Sequence, residues 1–229
     1  LLWRRGGAFI LIHYNTADKE AASVLERIRS AGGDGTLIQS DLSCSDGIHR
    51  FLDLLGETGR AVDILVNNAG SLVRRTPFLD FTAELWNQVF TLNLTSAFLI
   101  SQAVLPGMVE RKYGCIVNVS SVAARFGGGL GAIAYSSAKA SLSAMTKGLG
   151  RECAPHGTHI DAVSPGTIDT DYHRAFSTQQ ALQTVEKATP MERLGTSAEV
   201  ADVIVFLCSE KVRFIQGQVI EVNGGFLMV

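Results

Sequence analysis

CIVNV (115–119), AIAYSSAKASLSAMTKGLGREC (132–153) and HIDAV (159–163) read in turn as a strand, a helix and a strand. A short apolar run, an amphipathic segment and a second apolar run make the unit that builds a parallel sheet. Tyr135 and Lys139 stand four apart on that helix, and Ser121 lies 14 residues before the tyrosine on the strand-like run. Positions i and i+4 share a helix face. An ammonium beside a phenol favours the phenolate and draws its pKa from about 10 toward neutral. A tyrosine tuned in this way moves a proton to or from a substrate oxygen, and a nearby serine hydroxyl hydrogen-bonds that oxygen. Taken alone, the pair also fits a core aromatic, because Tyr135, Leu142, Met145 and Leu149 lie on one stripe with Lys139 snorkelling beside them.

The same alternation extends in both directions. Strands are expected at 8–13, 36–39, 62–66 and 218–222, and helices at 17–30, 47–55, 82–112 and 197–209. Gly32 and Gly33 signal a helix end, Pro106 should bend or divide the long helix, and Thr196 or Ser197 should cap the last one. The fold class is therefore α/β: one Rossmann-like domain over 1–229, a doubly wound parallel sheet with helices on both faces. Ligands of such sheets bind beyond the carboxyl ends of the strands.

The 229 residues are 46% hydrophobic and 18% charged, with a net charge of −2. That is the composition of a globular protein with no electrostatic footprint for nucleic acid or an anionic membrane. Four cysteines are scattered without zinc-ligand spacing, so no metal site is expected and a reduced, cytoplasmic compartment fits. No signal peptide, repeat or bilayer-spanning apolar run is read.

Further motifs follow the strands. Asn67, Asn68, Ala69 and Gly70 let a backbone approach a flat ligand and offer it hydrogen bonds, though an ordinary turn has the same composition. Asn93 inside the long helix reads as a backbone break, a buried polar group or a plain exposed residue. SPGTIDT (164–170) reads as a turn carrying the Thr170 hydroxyl, and Asp41-Leu42 as a turn or cap after the second strand.

In this order and spacing, Asp41-Leu42, NNAG (67–70), Asn93, Ser121, YSSAK (135–139), PGTIDT (165–170) and VNGG (222–225) resemble the short-chain dehydrogenase/reductase family over essentially the whole chain. The resemblance implies an NAD(P)-dependent oxidoreductase that moves hydride between a nicotinamide cofactor and a carbonyl or alcohol. Tyr135 would be the acid/base. Lys139 would lower its pKa and bind the nicotinamide ribose, Ser121 would orient the substrate oxygen, and Asn93 would hold a water of the proton relay. Asn68, Ala69 and Gly70 would line the adenosine and ribose, Asp41 and Leu42 would contact adenine, and Pro165, Gly166, Ile168 and Thr170 would embrace the nicotinamide. The Tyr14-Asn15 position carries no carboxylate for a ribose 2′-OH, which favours NADP(H) over NAD(H), with Lys19 the nearest following cation.

Three departures accompany the resemblance. The family's first strand, glycine-rich phosphate loop and first helix are missing, so the chain is expected to be N-terminally incomplete; GGG (127–129) is no substitute. The Ser121–Tyr135 spacing is about one residue long, with Ser120 as a fallback that strand alternation turns to the opposite face. Asp161 stands where asparagine is usual and calls for a compensating donor.

The pattern is closest to the 3-oxoacyl-[acyl-carrier-protein] reductase branch. Lys112 and His156 would meet an acidic carrier, while a free small ketone or alcohol remains an alternative substrate. Residues 173–191, with Phe176, Leu182 and Val185, would form a substrate lid or else a surface amphipathic helix. A homotetramer is expected, the apolar tail GGFLMV (224–229) packing at an interface. The other class left open is a non-catalytic binding or scaffold relative that has lost its phosphate loop.

Overall fold

The structure, a computed structural model, describes residues 7–229. It divides into two compact units, one ending at Ala61 and one running Val62–Val229. The first unit holds β1 (Phe9–Tyr14), α1 (Asp18–Ser30), β2 (Asp34–Gln39) and α2 (Ser45–Glu57). β1 and β2 pair in parallel, from Phe9 opposite Asp34 to Tyr14 opposite Gln39. α1 places Asp18 and Glu20 in its first turn and Arg27 and Arg29 in its last, matching the helix dipole. Its end is the one the two glycines signal: Gly32 takes φ +81°, its N–H bonds Arg29 O, and the Gly33 N–H bonds Ile28 O.

The second unit is built on β3 (Ile64–Asn67), β4 (Gly114–Val119), β5 (Thr158–Pro165) and β6 (Val219–Val222), paired in that order and all parallel. Its helices are α3 (Ala83–Phe90), α4 (Ser96–Arg111), α5 (Ala123–Phe126), α6 (Ile133–Cys153), α7 (Asp171–Phe176), α8 (Gln179–Ala188) and α9 (Ser197–Leu207). Strand alternation divides the sheet between two sets of helices. Cys115 and Val117 join Val163 with Val200 and Leu207 of α9 in one apolar cluster. Asn118 points the other way, donating to Thr146 Oγ1 of α6 at 2.9 Å. Asn67 donates to Asn118 Oδ1 at 2.8 Å and to Ser101 Oγ of α4 at 3.1 Å. This buried amide–hydroxyl chain ties two strands to two helices with its polar groups paired.

The long helix differs from expectation in where it breaks. The Pro106 ring sits within α4, and the interruption is instead a π turn at Thr91–Thr95 around Asn93. The Asn93 amide donates to Val89 O four residues back, a side-chain bond where the regular ladder is interrupted. The run 83–111 has the length and composition of a membrane span, a test that a buried core helix also passes. Here its stripe Ala97, Ile100, Val104 and Met108 is buried within the unit. Thr196 rather than Ser197 caps α9, in a capping box with Glu199. The short helices α5 and α7 are not evident from periodicity.

Asp161 is buried on β5, 1% exposed. One carboxylate oxygen accepts the Gln218 N–H at 2.8 Å, the compensating donor called for above, and the other has no partner. Burial raises its pKa, against the Gln218 bond and nearby His159. A carboxyl whose folded pKa lies above its unfolded one loses stability as pH rises through the unfolded value toward the folded one. Asp161→Asn keeps an acceptor for Gln218 and carries no charge. It is expected to stabilise the protein by on the order of 1 kcal/mol at neutral pH, with the gain shrinking toward pH 4. Urea unfolding at both pH values checks this; an equal loss at both would refute it.

Candidate active site

The candidate site lies in the second unit, at the carboxyl end of its sheet. Lys139 comes up from α6 and donates from Nζ to Val119 O, the last residue of β4, at 2.7 Å. It is 2% exposed, and burial lowers its pKa to about 8. Above it runs the NNAG turn that leaves β3. A methyl group added at Gly70 would stand 2.7 Å from Asn93 Oδ1 and 2.9 Å from Lys139 Nζ, so the bare α-carbon leaves these two polar ends their room. Asn93 hooks the same turn: its Oδ1 accepts the Ser71 N–H at 3.1 Å and its amide donates to Ser71 O at 2.8 Å. The π turn therefore serves to aim a buried amide at the strand-end loop.

Tyr135 is packed as the core-aromatic reading has it and is also open to a cavity. Its ring packs with the Leu85, Val89 and Ala134 cluster, while the side chain lines a cavity of about 780 Å3. The expected fall in its pKa is not found. Burial raises it, and interactions with the Ser121 and Tyr172 hydroxyls draw it only partly back. The cause is geometric: Nζ of Lys139 is 5.7 Å from the ring centroid and is turned to the Val119 carbonyl. The phenol is thus a protonated acid at neutral pH.

Ser120 and Ser121 diverge as alternation requires, although both lie beyond the end of β4. The Ser120 hydroxyl is buried against Lys139 O at 3.0 Å and Ser143 Oγ at 2.7 Å, a structural position. Ser121 borders the cavity, and its oxygen accepts the Ala123 N–H at 3.1 Å at the start of α5. The α5 turn and the loop after it absorb the extra residue before Tyr135, with Gly127, Gly128 and Gly131 at positive φ.

Asn68, Gly70, Ser121, Tyr135, Lys139, Pro165, Gly166, Ile168 and Thr170 all line this one cavity. Asn93 lies beneath it, 1% exposed. Ala69 sits in the same turn without lining it. Tyr14, Asn15, Asp41 and Leu42 belong to the first unit, at or just past the ends of β1 and β2. There Asn15 O accepts from the Gln39 amide, Asp41 Oδ1 accepts the Ser43 N–H, and Leu42 is buried. The sequence reading missed Tyr172, whose ring centroid is 6.0 Å from that of Tyr135, and Arg75. Tyr172 directly follows Thr170-Asp171, and Arg75 follows Gly70 by five residues, so nearness to motif ends was the available signal. Of the residues named for the lid, Leu182 and Val185 of α8 form part of the wall and Phe176 does not line it.

The site is thus a cluster of hydroxyls beside a buried lysine, at the carboxyl end of a parallel sheet. The chain matches, over residues 2–227, the family model described as enoyl-(acyl carrier protein) reductase. It is 36% identical over 219 residues to the 3-oxoacyl-[acyl-carrier-protein] reductase FabG of Aquifex aeolicus, covering 96% of this chain and 87% of that protein. The crystal structure of 3-oxoacyl-[acyl-carrier protein] reductase from Brucella melitensis superposes with a TM-score of 0.89 at 32% identity, covering 97% of this chain and 83% of that one. A putative gluconate dehydrogenase from Agrobacterium tumefaciens superposes with a TM-score of 0.87 at 32% identity, covering 96% and 86%. The chain belongs to the short-chain dehydrogenase/reductase family, on its FabG-like branch, and is an oxidoreductase.

Gly70→Ala is expected to lower kcat/KM by about 10- to 100-fold while the protein stays folded, because the methyl meets two functional ends rather than core packing. Steady-state kinetics alongside circular dichroism check this; unchanged kinetics would mean that the Gly70 turn moves aside freely.

Proposed function

We propose that this chain reduces a carbonyl to an alcohol with NADPH, a 3-oxoacyl thioester being one candidate substrate, and that the reverse oxidation uses NADP+. The observation that carries the reading is the convergence of Ser121, Tyr135 and Lys139 on one cavity with a protonated phenol.

The residues present fit a nicotinamide cofactor. The bare Gly70 backbone lies over Lys139, and Pro165, Gly166, Ile168 and Thr170 offer a second wall. Lys139 would hold the ribose hydroxyls, and Asn68 and Gly70 the adenosine side. When bound, the cofactor supplies the hydride. Ser121 then hydrogen-bonds the substrate oxygen and holds it toward Tyr135. The Tyr135 hydroxyl gives its proton to that oxygen as negative charge develops on it. Asn93 keeps the turn over Lys139 in place for a water to return the proton. NADP(H) is favoured over NAD(H) because the Tyr14-Asn15 position has no carboxylate to repel a 2′-phosphate.

For an acidic carrier the support is slight: Lys112 and His156 are both exposed, and the backbone at Gly157, next to His156, closely approaches that of Lys112. Exposed Phe98 of α4 and the exposed tail residues Met228 and Val229 suit burial in a homotetramer. Free thiols at Cys44, Cys115, Cys153 and Cys208 suit a reducing cytoplasm.

The test is loss of NADPH absorbance with acetoacetyl-coenzyme A and with small ketones, for the wild type and Tyr135→Phe. Turnover falling by about a thousandfold in the variant is expected, because the phenol is the only proton donor proposed. Equal rates would remove Tyr135 from the chemistry, and absence of both turnover and NADPH binding would favour a non-catalytic relative.

A further inference from the structure

The cavity has an unused cation. No aspartate or glutamate lines it; its charged walls are Lys139, which the proposed reaction employs, and Arg75, which it does not. Arg75 stands where three segments meet. Its Nε donates to Phe176 O at the end of α7 at 2.6 Å, and its Nη1 donates to Leu130 O in the loop before Tyr135 at 2.7 Å. Two carbonyls thus fix the plane of the guanidinium and leave three of its five N–H groups free. Arg75 forms no ion pair with a carboxylate among the described residues, and of the arginines it is the one that lines this cavity.

Its surroundings are those of the reacting end. Arg75 lies close enough to Tyr172 and His173 for its charge to act on both, and the Tyr172 ring is 6.0 Å from that of Tyr135. Its two hydrogen-bond partners lie on α7 and in the loop before Tyr135, outside the NNAG turn and the 165–170 segment assigned to the cofactor. Past this point the wall turns apolar, with Leu182, Val185 and Ile204.

We infer that Arg75 is a specificity residue for an anionic group on the substrate, so that this cavity selects oxo acids, or the matching hydroxy acids, over neutral ketones. The inference rests on the reading of the cavity as the carbonyl site. A planar, pre-oriented guanidinium with free N–H groups matches a carboxylate, and no acidic side chain in the wall repels one. A guanidinium serving only to strap two loops would not discriminate between charged and neutral substrates.

The experiment compares pyruvate, acetoacetate and levulinate with their methyl esters, for wild type, Arg75→Lys and Arg75→Met, with NADPH as reductant. The wild type is expected to favour at least one acid over its ester by about 10- to 100-fold in kcat/KM. Arg75→Met should bring that acid-to-ester ratio close to one, and Arg75→Lys should keep part of it. The ester rate is the internal reference for any loss of loop geometry. A ratio unchanged in Arg75→Met, or a wild-type preference for esters, overturns the inference. So does a rise in NADPH dissociation constant in Arg75→Met with the ratio intact, which would assign Arg75 to the cofactor. Calorimetric titration of the acids into the wild type and Arg75→Met separates the two readings: Arg75-dependent binding without any turnover keeps the anion site and removes the reductase reading.

Discussion

Burying one lysine ammonium is the constraint around which the second unit is arranged. Lys139 is withdrawn from water, and its described partner is a single backbone carbonyl at the end of β4. A charge so placed costs free energy, which its lowered pKa records. The surrounding structure keeps the group in place rather than letting it reach solvent. Ser120 and Ser143 occupy the Lys139 carbonyl on the helix, and Asn93 pins the NNAG turn over Nζ. The π turn in the 83–111 run is the price of aiming Asn93 there.

From that constraint the chemistry follows. Because Nζ is committed to Val119 O, it does not draw the Tyr135 proton away, and the phenol stays a donor. Burial keeps it protonated, while Ser121 and Tyr172 orient hydroxyls around the same point. A phenol that is protonated at neutral pH fits the donor role proposed for Tyr135. The residual cation of the cavity, Arg75, then serves selection rather than proton transfer. Under the proposal, the strand ends carry the chemistry and the loops joined by Arg75 carry the selection.

Much of this was legible in the sequence because strand-end chemistry is local. A short apolar run followed by NNAG, SS or SPG places its side chains at the carboxyl edge of a sheet whatever packs around it. The break at Asn93 was legible for the same reason, since a poor helix former lies inside a helical run. Its competitor Pro106 was not eliminated, because a proline ring within a helix costs a hydrogen bond without having to end it. The Tyr135 pKa was misread because spacing shows that Lys139 shares its face but not where Nζ points. Burial sets the direction of that shift, and burial is a tertiary quantity. Arg75 and Tyr172 escaped notice because what brings them to Tyr135 is a meeting of three loops, with no periodicity to announce it. The Asp161 donor was anticipated as a need, but its source, the Gln218 N–H, comes from 57 residues away.

The most direct test of the central claim is the protonation midpoint of Lys139, followed by NMR of 13Cε-labelled lysine and assigned with Lys139→Met. The account predicts one lysine resonance titrating at about 8, absent from the variant and perturbed when NADP+ is added. A Lys139 resonance titrating with the exposed lysines near 10.4, and indifferent to NADP+, would contradict it.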